Sequence, residues 1–526
     1  MLKYKIEELL QESLKKAYPK AKSDSGILKV EHTAKKFGDY SSNIALILAK
    51  AINQEPQQIA SKLIRNLPKT DYFEQVGTSG GFINFRLSRD WLIKQIDLII
   101  SQSDDFGKSK VGEDMQVLIE FISANPTGPL HIGNGRGGFW GDVLATCMEA
   151  SGYRVTREYY VNDTGNQIEA LGHSVLKDEK AVYKGKYIDE VAAKVKEKDP
   201  MQAGKSAAYI ILHDYIKPTV KKMGIKFDHW FSEDSLHQES DITKSLAILK
   251  KTKDIYIKDG AAWYKTSKYG DEKDRVLQRK DGQFTYFAAD IAYHWNKIKR
   301  GYNLLVDIWG ADHHGYVNRV KIAVERGIKP TVNWGGRFDI LISQLVRLVS
   351  EGESTKISKR EGKIFTIDEL IDEVGLDAAR FFFLTKSLNT HMDFDLDLAK
   401  ERSQKNPVYY IQYAHARMSS LLKIAKNSRF DSAKSDLLKD PIEIDLIRQI
   451  ILFPEIVEDV TVSYNVQKLP FYALELANCF HKFYDTCQVI SKDQKLTEAR
   501  LALVHATKIA LRNTLKMMGI SAPKKM

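Results

Sequence analysis

The sequence predicts a multidomain α/β protein: a central parallel-sheet domain with crossover helices, a small α+β unit before it and an all-α helical bundle after it. Three observations lead there. At 526 residues the chain exceeds what one hydrophobic core supports, so about three or four domains are expected. From 113 to about 400, strand-like and helix-like apolar patterns alternate, as βαβ units require. From 401 to 526, helical spacing is almost continuous, in YYIQYAHARMSSLLKIA, LIRQIILFPEIVEDV and LPFYALELANCFHKFY, which suits antiparallel helices.

Composition narrows the classes. Charged residues at 28% and hydrophobic ones at 43% are ordinary for a water-soluble globular chain. The net charge of +11 fits a polyanionic partner, and it equally fits surplus lysines that keep a protein dissolved. Cys147, Cys479 and Cys487 are odd in number and form no C-x-x-C pair, so neither a disulfide framework nor a cysteine zinc site is supported. No apolar run approaches the roughly 18 residues of a membrane span, and MLKYKIEELLQESLKKAY is a charged amphipathic helix without a signal-peptide core. A cytoplasmic protein with no membrane partner and no zinc is expected.

In residues 1–112, helical spacing appears at Ile6, Leu9, Leu10 and Leu14 and again at Ile59, Leu63 and Leu67, and GGFINFRLS alternates as a strand does. In residues 113–400, VLIEFI is a buried strand broken by Pro126, Gly128 and Pro129, after which His131-Ile132-Gly133-Asn134 opens a helix. Gly152 is its expected C-terminal cap, and YRVTREYY is the second strand. The block 166–275 is polar and mostly helical, and it interrupts the alternation as an insertion. FTYFAADIAYHWNKIKRG follows as a helix and LLVDIW as a third buried strand; FDILI and QLVRLV then lead into the polar loop GESTKISKREGK. In such sheets ligands bind outside the carboxyl ends of the strands.

The stretch 117–141 is the first place to look for chemistry. A glycine-rich helix start presents unpaired backbone N–H groups and a positive dipole end, so an anion is expected. Gly133, Gly135 and Gly138 satisfy G-x-G-x-x-G, the dinucleotide fingerprint, but the first glycine lies about ten residues past the strand, where that fingerprint needs a tight strand-to-helix turn. Ala203-Gly204-Lys205-Ser206 imitates the end of a phosphate loop without its first glycine or its preceding strand.

A different pairing fits better. HIGN at 131–134 and KISKR at 356–360 resemble the HIGH and KMSKS signatures of the class I aminoacyl-tRNA synthetases, whose catalytic domain is Rossmann-like. Asn134 departs from the usual second histidine of that pattern. The resemblance implies that His131 and Asn134 bind ATP in the transition state, that Lys356 and Lys359 neutralise its phosphates, and that Gly133, Gly135, Asp312, His313 and Ser358 line the nucleotide site. ATP would act with Mg²⁺, since in-line attack on phosphorus needs positioning and positive charge.

EFISANPTGPLHIG, YYVNDTGNQ, WGADHHGY, EVGLDAARFFFL, NPVYYIQYAHAR and GISAPKKM extend the resemblance over nearly the whole chain, to the arginyl-tRNA synthetases. It implies that Glu120, Asn125, Tyr286 and Asp290 hold L-arginine; a guanidinium presents five donors in a planar fork and asks for carboxylates in matching geometry. Tyr286 and Asp290, four apart, share a helix face. Against these stand plainer readings: Glu120 as a buried acid paired with a local base, Tyr286 as helix packing, and the histidine pair as loop packing. The resemblance also implies tRNA(Arg) as partner, with the N-terminal unit at the outer corner of the tRNA and the C-terminal bundle at the anticodon loop. Tyr413 and Arg417 are candidate RNA contacts there, or core residues. A monomer, no editing domain, and adenylate formation that depends on bound tRNA are expected. The rivals are a synthetase-like paralogue that binds tRNA or nucleotide without catalysis and, on G-x-G-x-x-G alone, an oxidoreductase.

Overall fold

The computed structural model describes residues 1–19, 28–238, 240–350, 353–355, 365–424 and 436–526. The N-terminal region is a four-stranded antiparallel sheet of β1 (Val30–His32), β2 (Tyr40–Ser42), β3 (Phe73–Ser79) and β4 (Phe82–Leu87), in the order β1-β2-β4-β3. The helix Leu2–Ala17 turns its apolar stripe inward through Ile6, Leu10 and Leu14, as the spacing predicts.

The central sheet has five parallel strands: β5 (Gln116–Glu120), β6 (Arg154–Val161), β7 (His229–Ser232), β11 (Leu304–Gly310) and β12 (Arg337–Ser343), in the order β12-β11-β5-β6-β7. Between β7 and β11 lies a small antiparallel sheet of β8 (Ile255–Lys258), β9 (Ala261–Tyr264) and β10 (Arg275–Gln278). The block 166–275 is therefore helical in its first part, but it also returns a strand to the main sheet. HWFS is too short and too polar in its surroundings to announce itself as β7. The helix Ile132–Ala150 joins β5 to β6, Ser151 is its C-cap, and Gly152 follows at φ 88°, the left-handed conformation that ends helices.

This helix lies close to the sheet because glycines face it. A side chain at Gly141 would come within 2.4 Å of the Phe121 ring, and one at Gly138 within 3.0 Å of Ile122. After β12 a fourth sheet forms from β13 (Val346–Ser350), β14 (Glu353–Thr355) and β15 (Met392–Asp395), in the order β14-β13-β15. The C-terminal part consists of the helices Pro407–Ile424, Pro441–Ile451, Phe453–Ser463, Lys468–Thr486 and Gln494–Met517. Buried contacts tie it to both other regions. Trp140 donates to the Tyr464 carbonyl (3.1 Å), and the Tyr40 hydroxyl donates to Glu455 (3.0 Å). Among the described residues no helix is long and apolar enough to cross a membrane.

Candidate active site

β5 ends in Glu120, and the chain leaves the sheet at once. Ile122 and Ser123 adopt left-handed backbone angles, φ 67° and 41°, uncommon without glycine and costly for a β-branched residue. Ser123 Oγ pins the turn by accepting from the Tyr160 N–H on β6 (3.1 Å). The loop then presents Asn125, whose amide donates to Gln167 Oε1 (2.6 Å), and delivers His131.

His131 is the N-cap of Ile132–Ala150. Its Nδ1 accepts from the Gly133 N–H (3.1 Å), while Asn134 Oδ1 accepts from the His131 N–H (3.0 Å), a reciprocal capping box. The Ile132 N–H donates to the Phe365 carbonyl (3.3 Å), and the Ile367 N–H to that of Leu130 (3.0 Å). The expectation of open N–H groups at this helix start is corrected: these donors are satisfied within the chain, by His131 and Asn134 of the HIGN signature and by the Phe365 carbonyl. Gly133 leaves room for the His131 ring, which a side chain would meet at 2.9 Å. Gly135 is buried against Ile367 and Phe383, so its missing side chain serves packing.

Lys356, Ser358 and Lys359 lie outside the described residues. Their flanks are described: β14 ends at Thr355, and Phe365–Ile367 is the segment bonded to Leu130–Ile132. The fold thus brings the chain next to the lysine signature against the start of the histidine one.

Beneath the carboxyl ends of the strands runs a row of acids. Asp307 on β11, Glu120 on β5 and Glu158 on β6 stand at one register level on adjacent strands. The helix Tyr286–Lys299 supplies their partners. Buried Lys297 bridges Glu120 Oε2 (2.6 Å) and Asp307 Oδ1 (2.7 Å). His294 joins Asp307 Oδ2 (2.9 Å) to the Asp290 carbonyl (2.7 Å). Burial works against the Lys297 ammonium, but the two acids outweigh it and hold its pKa above the ordinary value. Burial pushes Glu120 up, with Lys297 opposing. Glu158 overcomes its own burial through His229 and Arg300, which bring it down to about 2. The plainer reading of Glu120, an acid with a local base, describes its contacts, and the base is Lys297.

A second group of acids forms no ion pair with a lysine or arginine among the described residues. Asp290, one turn into the same helix, accepts from the Tyr316 hydroxyl, and burial raises its pKa. Glu233, 3% exposed, opens the helix Glu233–Gln238 and has Tyr160 as its side-chain partner; burial pushes it up to about 7, with Asp290 and Asp163 adding repulsion. Tyr286, 52% exposed, begins the Tyr286–Lys299 helix, and its hydroxyl accepts from the Asn166 N–H (3.4 Å). Two neighbouring carboxylates disfavoured by desolvation, with tyrosine hydroxyls as hydrogen-bond partners, are an arrangement that a cation would relieve.

Asp312 and His313 sit in a short 3₁₀ turn beyond β11, outside the sheet, with side chains 83% and 54% exposed. Tyr413 and Arg417, on the helix Pro407–Ile424, are half-buried. The Arg417 guanidinium lies over the Tyr484 ring (4.1 Å) and the Tyr413 ring (5.2 Å), which itself stacks on His481. Sequence reasoning did not single out Glu233, Tyr316, Tyr160 or Lys297. One signal was available: Asp290, His294 and Lys297 continue the Tyr286 face at helical spacing, a polar stripe down the buried side of an apolar helix.

Family models match in chain order: "Arginyl tRNA synthetase N terminal domain" over residues 4–87, "tRNA synthetases class I (R), catalytic domain" over 95–198 and "DALR anticodon binding domain" over 411–526. Relatives named arginine–tRNA ligase include that of Moorella thermoacetica, 41% identical over 94% of this chain and 92% of its own, and that of Acetivibrio thermocellus, 40% identical over 100% and 99%. A Campylobacter jejuni structure titled a putative arginyl tRNA synthetase is 34% identical with a TM-score of 0.75, covering 84% of this chain and 100% of that one. The Thermus thermophilus arginyl-tRNA synthetase, 22% identical, shares the fold over 100% of both chains with a TM-score of 0.78. Three family models in chain order and relatedness at about 40% identity over nearly the full length of both chains agree: this chain belongs to the arginyl-tRNA synthetase family.

Proposed function

We propose that the chain is an arginine–tRNA ligase whose acid pocket selects the guanidinium of L-arginine. The observation that carries this is the pairing of Glu233 and Asp290, two carboxylates that burial disfavours and that have tyrosine hydroxyls as hydrogen-bond partners. A substrate bringing a delocalised cation with five donors relieves both. Tyr286 covers the entrance, and Glu120 and Asn125, on the strand end and the loop after it, face the amino acid's other end. Lysine would satisfy one acid and strand the other, which costs about 10⁴-fold in discrimination at a site built on buried hydrogen bonds.

MgATP is the second substrate, with the ion carried between phosphates. His131 and Asn134 shape the turn on which ATP rests, Gly133 and Gly135 allow its close packing, Asp312 and His313 border the nucleoside, and Lys356, Ser358 and Lys359 reach the phosphates. The arginine carboxylate attacks the α-phosphorus, and the bond to the bridging oxygen breaks as pyrophosphate leaves with its electron pair. The terminal ribose hydroxyl of tRNA(Arg) then attacks the arginyl carbonyl, and AMP departs. Residues 1–112 would meet the outer corner of the tRNA, 113–400 perform the chemistry and 401–526 read the anticodon loop, with Tyr413 and Arg417 among the contacts. We place the enzyme in the cytoplasm as a monomer. An aminoacylation assay with total tRNA and each of the twenty amino acids tests the proposal: charging with arginine alone supports it, while tRNA binding without charging would point to the non-catalytic paralogue.

A further inference from the structure

We propose that Arg136 is a positioning residue for the ATP half of the reaction, fixing the small sheet next to the lysine signature and adding an unneutralised positive charge beneath the phosphates. This rests on the reading that ATP docks at the start of Ile132–Ala150.

Arg136 is fully buried. Its Nη1 donates to the Gln344 carbonyl (3.0 Å) and its Nη2 to that of Ser387 (2.5 Å). These carbonyls belong to two different connections. Gln344 lies between β12 and β13, and Ser387 precedes β15; the Gln344 N–H in turn donates to the Leu388 carbonyl (2.9 Å). One guanidinium therefore clasps the entries to both neighbouring parallel strands of the β14-β13-β15 sheet. In sequence, β14 runs directly into Lys356. The segment after that loop is bonded to Leu130–Ile132. One described flank is thus bonded to the start of this helix, and the other, β14, is held to it through β13 and Arg136 in the second turn.

A clasp alone does not call for a charge. Arg136 has no carboxylate in ion-pair range among the described residues, and its Nε has no hydrogen-bond partner. Burial pulls its pKa down to about 10, so it is still charged at neutral pH. Arg136 is the fifth residue of this helix, and helical side chains lean toward the N-terminus, so its charge belongs to the positive half of the dipole. Burial and dipole both oppose it in the free chain. Since the first-turn N–H groups are taken up by His131, Asn134 and Phe365, a polyphosphate arriving here meets field rather than open donors, and Arg136 strengthens that field.

The experiment compares full-length wild type with Arg136→Gln, which keeps a hydrogen bond and loses the charge, and Arg136→Lys, which keeps the charge and loses the fork. Thermal midpoints with and without MgATP are read alongside KM for ATP and for arginine. For Arg136→Gln we expect a ligand-free midpoint no lower than that of wild type, an ATP-induced rise cut to less than about half, ATP KM up about tenfold and arginine KM within about twofold. Arg136→Lys should keep most of the ATP-induced rise and lose kcat. A Gln variant with the wild-type ATP rise and ATP KM overturns the proposal, as does a Lys variant that loses the ATP rise entirely; the latter decides the matter if the Gln variant does not fold. If wild type neither charges tRNA nor responds to ATP, the nucleotide reading falls first and takes this one with it. Active wild type beside unaltered variants removes the role of Arg136 alone.

Discussion

Glu233 and Asp290 carry opposite obligations in the empty and filled site. With its carboxyl pushed up to about 7, Glu233 is largely protonated below that pH, and on the proposed reading it would have to release a proton to meet a guanidinium. Arginine KM should therefore fall as pH rises from about 6 to 8 while ATP KM stays flat, and Glu233→Gln should abolish the slope; equal pH dependence for both substrates would count against it. The sign for stability is the reverse. A folded pKa above the ordinary 4.5 means the folded chain holds a proton that the unfolded chain releases, so this group destabilises increasingly as pH rises from about 4.5 toward 7. Asp290→Asn should raise arginine KM by about 10²-fold or more and ATP KM by little, because a buried donor fork loses its acceptor. Glu120 depends on a neighbour. Removing Lys297 by Lys297→Met leaves Glu120 and Asp307 buried without their shared cation, so a loss of about 3–5 kcal/mol is expected in chemical denaturation, and Glu120→Gln in the same chain should recover part of it.

At the scale of elements, the helix Ile132–Ala150 is where the central sheet, the β14-β13-β15 sheet and the C-terminal helices meet. Its glycine face lets it lie against β5, its first turn is capped by His131 and Asn134, and Trp140 reaches the C-terminal helices. Gly141→Ala places a methyl 2.4 Å from the Phe121 ring, which follows Glu120 directly. Overpacking of this kind costs about 1–3 kcal/mol, and here it also displaces the strand end that carries the acid. We expect a lower thermal midpoint together with a kcat loss larger than that of an equally destabilising change in the N-terminal sheet. A variant with normal kcat would show that helix and strand end tolerate separation. Elements announced themselves unevenly in the sequence. VLIEFI, LLVDIW and the helix after Thr285 are long and strongly patterned, and they appear where the pattern puts them. β7 was hidden because HWFS is four residues long, half-buried and set inside a polar block, so neighbours rather than periodicity make it a strand.

For the whole molecule, the contacts that cross between regions matter most. Arg380 binds Asp142 on the glycine helix (2.8 Å) and the carbonyls of Met223 (3.1 and 2.9 Å) and Met518 (3.0 Å), so catalytic and C-terminal parts share one buried hub. If the C-terminal helices hold RNA as proposed, this hub is a packed connection between them and the glycine helix. Arginine-dependent pyrophosphate exchange should accordingly be near background without tRNA(Arg) and rise on its addition; a full rate without tRNA would sink the idea. The sequence by itself determined the three-part order, the helix start with its histidine, the family and the acids on β5 and on the Tyr286 helix, since these depend on local periodicity and on short motifs whose spacing survives without coordinates. It did not assign those groups their partners. Only the tertiary structure decided that Glu120 answers to Lys297, that the HIGN residues cap their own helix, that Glu233 and Tyr160 join Asp290, and that Arg136 is buried with no acid beside it among the described residues. The reason is distance along the chain. Glu120 and Lys297 are 177 residues apart, and a charge's surroundings, which set its pKa and its role, come into being only when strands and helices remote in sequence close over it.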